Sequence, residues 1–335
     1  MRKIRIAQIG ANQNSHSCAV LASLRKQTDL FEVVGYALPE NERERIPYKM
    51  AGYEGLREMT VEGILADPTI EAVAVETDEI YLTKYAQMVA DSGKHLHMEK
   101  PGGCDLAAFE RLIDTVKKQG IVFHTGYMYR YNPFVQELIS DVRAGKLGEI
   151  LSVEAQMNCL HPPATRQWLS HFKGGMTFFL GCHLIDLILQ IQGTPDRVIP
   201  LNCSSNIDGV TAEDIGFAVF QYPHGNSFAR TTAIERGGFA RRQLVVVGTK
   251  GTVELKPLEW YIPDSDGALC THRAVRTSDG WHEWGEESKS APLDRYDGMM
   301  AAFAAMVRGD LVNPYTPDYE RALYKTVLAA CGVET

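Results

Sequence analysis

A chain of 335 residues, 45% hydrophobic and 23% charged, is too long for one ordinary core and suits two domains of roughly 120 to 200 residues each. Its apolar runs fall short of the ~18 residues of a membrane span, and Met1-Arg2-Lys3 leads straight into a strand, so neither membrane nor signal segment is expected and the expected address is cytoplasmic. The formal charge of −8 argues against a nucleic-acid partner, and seven scattered cysteines without a Cys-x-x-Cys pair predict neither a disulfide framework nor a thiolate zinc site.

Residues 3–9 alternate and then turn apolar, as a buried parallel strand does, and end at Gly10. Residues 15–26 read as a helix with Ser15 as N-cap. Strand, glycine turn and helix suggest a dinucleotide fold, in which a pyrophosphate rests on the helix N-terminus. The turn Gly10-Ala11-Asn12-Gln13-Asn14-Ser15 departs from G-x-G-x-x-G at Asn12 and Ser15. Asparagine tolerates the left-handed conformation, so the turn can persist. The second strand, 32–37, ends at Leu38, where an NAD enzyme often carries a ribose-binding acid. Glu40 suits a ribose and Arg43 and Arg45 a phosphate, which leaves NAD and NADP both open. Helices over 60–66 and 80–91 alternate with strands at 71–75 and 121–123, the rhythm of a doubly wound domain.

Within that rhythm, a short strand runs from His95 into Glu99-Lys100-Pro101. The carboxyl ends of strands are where ligands bind in an open α/β sheet, so this carboxylate and ammonium are candidates for chemistry. Beyond Gly126 the pattern changes. A helix over 132–144 has Pro133 at its start, a strand follows at 150–157, and the segment 174–192 contains a further helix. Strand-like runs at 196–200, 215–221, 227–233, 243–247 and 252–255, joined by turns, predict a mostly antiparallel sheet. Helices at 296–308 and 319–331 close the chain. The expected domains are 1–125, 126–315 and a C-terminal helix, 316–335, packing back on the first.

Four motifs in order carry a resemblance: Gly93-Lys94-His95 running into Glu99-Lys100-Pro101; Gly126 with Arg130-Tyr131-Asn132-Pro133; Gly174-Gly175 followed by Gly181-Cys182-His183-Leu184-Ile185-Asp186; and Gly248-Thr249-Lys250-Gly251. With them the chain resembles the Gfo/Idh/MocA oxidoreductases, most of which oxidise or reduce sugars and polyols with a nicotinamide cofactor. The resemblance implies a Rossmann domain followed by an α+β domain with an open sheet, NAD as cofactor with NADP open, and a homo-oligomer formed through that sheet. It implies cofactor contacts from Gly10, Ala11, Asn12, Gln13, Ser15, Leu38, Thr77, Glu99 and Lys100. It further implies that Lys100 hydrogen-bonds the reacting hydroxyl and that His183 exchanges its proton. An ammonium stabilises alkoxide character, and an imidazole exchanges protons near neutral pH.

The departures also point somewhere. Relatives often carry an aspartate four residues before the histidine, where this chain has Phe179, so Asp186, three residues after His183, is the carboxylate expected to orient the ring or else to lie on the helix surface. Asp78 and Glu79 stand where Pro and Asn commonly follow Thr77. Tyr127, Trp168 and His171 are expected at a sugar or aglycone, because aromatic faces offer apolar area with a polar edge. His161, His171, Cys182 and His183 match no tetrahedral zinc spacing, and no metal is expected. Two other readings are an NAD-dependent glycoside cleavage by transient oxidation and elimination, and a non-catalytic dinucleotide-binding regulatory or scaffold subunit.

Overall fold

The computed structural model describes residues 2–278, 280–281 and 285–334. The chain divides into two compact units, Met1–Tyr127 with Tyr296–Tyr324, and Met128–Arg295 with Lys325–Thr335. This corrects the expected boundaries at 315 and 316. The 296–308 helix belongs to the first unit, where Ser23 Oγ donates to Asp297 Oδ1 at 2.8 Å and Phe303 stacks on His124 with ring centres 5.2 Å apart.

The first unit begins as β1 (Ile4–Ile9), α1 (Ser17–Lys26), β2 (Phe31–Ala37), the short α2 (Glu42–Arg45), α3 (Val61–Ala66), β3 (Ala72–Val75), α4 (Glu79–Asp91), β4 (His95–Met98), α5 (Leu106–Gln119) and β5 (Phe123–Thr125). The sheet is parallel in the order β2-β1-β3-β4-β5. Its central strand β3 is apolar and buried on both faces, as a sheet covered by helices on both sides requires, and β1 is nearly so, with Gln8 buried. Helix α5 shows the usual logic of such cover. Asp105 caps it by accepting from Ala108 N, Phe109, Leu112, Ile113 and Val116 make one buried stripe, and Gly120 ends it in the left-handed region. Helix α1 starts two residues later than expected, because Ser15 N donates to Asn12 Oδ1 at 2.9 Å and His16 stands at the N-cap without a side-chain cap bond.

The second unit contains α6 (Pro133–Arg143), β6 (Ile150–Asn158), α7 (Pro163–Trp168), α8 (Cys182–Gln192), β7 (Arg197–Pro200), β8 (Ile215–Tyr222), β9 (Gly225–Thr232), β10 (Gln243–Gly248), β11 (Gly251–Leu255), β12 (Trp260–Tyr261), β13 (Leu269–Cys270), β14 (His272–Arg276) and β15 (Glu286–Lys289). Helices α9 (Asp297–Arg308) and α10 (Pro317–Ala330) follow. Eight strands form one sheet in the order β15-β14-β11-β10-β6-β9-β8-β7, antiparallel except for the β6–β9 pair. Strands β12 to β15 were not anticipated: β12 and β15 are exposed, buried β13 is only two residues long, and β14 buries one residue of five, so none shows a period. The helix expected within 174–192 is α8, which begins at Cys182 after a π-helical turn over Thr177–Gly181. Gly175, at φ +41° and with Glu213 O only 2.2 Å from where a Cβ would sit, turns the chain just before it. From Cys182 to Leu189 every residue of α8 is buried.

Candidate active site

In the first unit the site grows from the ends of β1, β3 and β4. Gly10 has φ +96°, and a Cβ there would lie 2.5 Å from Thr77 N, so only glycine lets the turn pass against buried Thr77. The amides of the turn that follows Gly10 are bonded within the protein. Ala11 N donates to Glu42 Oε2 at 3.0 Å, Gln13 N to Asp78 Oδ1 at 2.9 Å, and Asn14 N and Ser15 N to Asn12 Oδ1 at 2.8 and 2.9 Å. An anion is instead offered the N-terminus of α1, whose first turn holds no acid. Beside it the Lys49 ammonium donates to Ser15 O at 2.8 Å and to Asn12 O. These residues fit the phosphates of a dinucleotide.

The segment after β2 is built of paired charges. Glu40, at φ 57°, accepts from Lys84 Nζ and Tyr85 Oη, both at 2.7 Å. Arg43 bonds Glu58 and Tyr36, and Arg45 bonds Asp78 at 2.7 Å, so neither arginine expected for a phosphate lacks a carboxylate partner. Leu38 is half-buried and lines, with Pro39, Lys84 and Tyr85, a cavity of about 400 Å³.

At the carboxyl end of β4, Glu99 and Lys100 are both about nine-tenths buried or more, with Lys100 Nζ 3.6 Å from Glu99 Oε1. Two further acids join them. Asn12 Nδ2 donates to Glu79 Oε2 at 3.0 Å, and Glu76 Oε1 lies 3.4 Å from His97 Nε2. His97 Nδ1 meets His124 Nδ1 at 2.7 Å. Burial raises the carboxyl pKa of Glu76 to about 8 and those of Glu79 and Glu99 to about 7, while the Lys100 ammonium pulls each back. Burial depresses His97 to about 4, so it is neutral at pH 7. Asp78 and Glu79 were noted in the sequence, but Glu76 and the histidine pair were not, because nothing in an apolar strand's spacing distinguishes a buried acid at its end.

This cluster makes stability depend on pH. A carboxyl held more basic in the fold than in the unfolded chain gives stability that is present below its ordinary 4.5 and is lost as pH rises through about 8. Wild-type stability in urea should therefore fall between about pH 5 and about pH 8, and Glu76→Gln should flatten that slope by up to about 1.4 kcal/mol per pH unit. Equal slopes in the two proteins would contradict the burial of an ionisable Glu76.

In the second unit His183 lies in the first turn of α8, 4% exposed, with the Tyr129 ring nearly perpendicular to it, centres 5.7 Å apart at 71°. Both carboxylate oxygens of Asp186 accept from Arg130, at 2.8 to 3.1 Å, and one also accepts from Gln190 Nε2 at 2.8 Å. Asp186, expected either to orient His183 or to lie on the helix surface, is buried instead and anchors the turn Met128–Tyr131 to α8. Phe179 is apolar filling: it packs with Leu169, Met176, Val210, Ala212 and Ala233, and Trp168 meets it edge-on at 5.2 Å. That places Trp168 half in the core, while exposed His171 bonds Trp168 O through Nδ1 at 2.7 Å. Tyr127, in the first unit, is 1% exposed and donates to Pro101 O at 3.4 Å. No group of three or more metal-ligating side chains occurs among the described residues.

Comparison with known proteins matches both units. The family described as oxidoreductases with an NAD-binding Rossmann fold matches residues 4–127, and the GFO/IDH/MocA C-terminal domain matches residues 135–254. An uncharacterized oxidoreductase of Rhizobium meliloti, ORF334, is 25% identical over 301 residues, 89% of this chain and 87% of its own. The D-xylose 1-dehydrogenase (NADP(+)) 2 of Haloferax volcanii is 25% identical over 166 residues, 49% of this chain and 50% of that enzyme. The structure of aldose-aldose oxidoreductase from Caulobacter crescentus, complexed with glycerol, shares the fold with TM-score 0.77 at 17% identity, covering 99% of this chain and 98% of that one. No described helix is long and apolar enough to cross a membrane.

Proposed function

The chain belongs to the Gfo/Idh/MocA family of NAD(P)-binding oxidoreductases, and from that premise we propose that it moves a hydride between a secondary hydroxyl of a sugar, glycoside or polyol and a nicotinamide dinucleotide. The observation that carries the proposal is the buried Glu99-Lys100 pair at the carboxyl end of β4, in the sheet whose first turn fits a dinucleotide. Bound nicotinamide would supply the hydride acceptor or donor. Lys100 hydrogen-bonds the reacting hydroxyl and stabilises the oxygen as it gains alkoxide character, an effect strengthened by its removal from water. His183 holds the hydroxyl proton on its imidazole. Glu99, whose Oε1 lies 3.6 Å from Lys100 Nζ, holds that ammonium in place, while burial keeps the neighbouring Glu76 largely protonated at pH 7.

A panel of sugars, glycosides and polyols with NAD+ and NADP+ tests this, read by the absorbance of reduced cofactor. His183→Asn should flatten the limb of the kcat/KM pH profile that reports its proton, and lower kcat by about 10²-fold or more. An unchanged profile would remove His183 from the proton transfer. Product released from a glycoside with no net reduction of cofactor would favour oxidation-assisted elimination instead.

A further inference from the structure

Glu259, 2% exposed, is a carboxylate held between two guanidinium groups. Arg295 donates to Glu259 Oε2 through Nε at 3.0 Å and Nη2 at 2.8 Å, and Arg242 Nη1 bonds Oε1. Arg242 is itself fixed from the other side, its guanidinium lying 4.2 Å from the Phe239 ring centre. Onto the same Oε1 Tyr129 donates its hydroxyl at 2.8 Å. At the far end of this construction the Tyr129 ring packs nearly perpendicular to the His183 imidazole.

We propose that Tyr129 is the positioning residue of His183, with Glu259, gripped by Arg242 and Arg295, fixing Tyr129 in turn. The proposal rests on the reading of His183 as the proton-transfer group. Three observations carry it. The residue four before His183 is Phe179, committed to an apolar cluster, so no carboxylate stands there to hold the imidazole. Tyr129 has its hydroxyl on a buried carboxylate, which selects one ring orientation, and its ring packs nearly perpendicular to the imidazole, centres 5.7 Å apart. The next residue, Arg130, grips Asp186 one turn further along α8, so one short turn fixes both the histidine ring and the helix that bears it. Burial pushes Glu259 up, but Arg295 and Arg242 outweigh it and keep the carboxyl below its ordinary range. The acceptor for Tyr129 is therefore always ionised near neutral pH. Burying three charges costs several kcal/mol in desolvation, so the set is better understood as fixing geometry than as adding stability.

The test uses the full chain labelled with 15N-histidine, reading imidazole nitrogens by long-range proton–nitrogen spectra, with the His183 signals identified by their loss in His183→Asn. Tyr129→Leu should shift and broaden the His183 signals while those of His97 and His124 stay in place, and should lower kcat about 10- to 100-fold with KM within about threefold, as expected for a misplaced catalytic group. Tyr129→Phe keeps the ring and should recover most of kcat while still broadening His183. Glu259→Gln should resemble Tyr129→Phe. His183 signals in Tyr129→Leu that coincide with wild type would overturn the proposal. If Tyr129→Leu does not fold, unchanged His183 signals in both Tyr129→Phe and Glu259→Gln would overturn it equally. Displaced His183 signals with kcat intact would uphold the positioning and reject His183 as the proton-transfer group.

Discussion

Replacing Lys100 by alanine should lower kcat by about 10²- to 10³-fold, the loss found when a preorganised donor to a developing oxyanion is removed, and leave dinucleotide affinity within about threefold. The two effects separate because of where the residue sits. Its ammonium is buried beside Glu99 at the end of β4, whereas the groups that fit the phosphates are Lys49 and the start of α1, on other elements. Titration calorimetry with NAD+ gives the binding half and initial rates with a turned-over sugar give the other. A variant with wild-type kcat would remove Lys100 from the chemistry, and one that no longer binds dinucleotide would make it a cofactor anchor.

The largest effect on stability is expected at Arg130. Its guanidinium and the Asp186 carboxylate are each 1% exposed and joined through two donors. Arg130→Ala leaves a buried carboxylate without its cation, which typically costs 3–5 kcal/mol, that is, about 3–5 kcal/mol here by chemical denaturation. The double variant Arg130→Met with Asp186→Leu should recover most of that loss, because two apolar side chains of similar volume need no desolvation of charge. A loss under about 1 kcal/mol in Arg130→Ala would mean the pair is solvated in the way a surface ion pair is.

How much of this was legible beforehand follows from what each residue depends on. The parallel sheet was legible because doubly covered strands are continuous apolar runs and their helices keep a helical stripe, as α5 does. The helix with Pro133 at its start was equally local, and the structure adds that the Asn132 side chain caps it by accepting from Phe134 N and Val135 N. Glu99, Lys100 and His183 stood out because they sit in short, ordered motifs. Glu259, Arg242 and Arg295 carry no such mark. They are brought together by strands and loops far apart in the chain, and their meaning lies in sharing one carboxylate, a property of tertiary packing. The start of α1 was misplaced for a related reason: Asn12, by accepting from two amides, holds the turn open past Ser15, a competition between side chain and helix that spacing alone does not reveal. Domain boundaries failed where the chain returns, since α9 and the start of α10 join the first unit after residues 128–295 of the second have intervened.

The most direct measurement is the fate of a labelled hydrogen. A sugar or polyol that reduces NAD+ or NADP+ in the panel is prepared with deuterium on its secondary carbinol carbon, turned over by the wild-type protein, and the reduced cofactor is analysed by mass spectrometry. Hydride transfer from that carbon predicts one deuterium per reduced nicotinamide, with its yield matching the ketone formed. Product formation with unlabelled or unreduced cofactor would contradict it.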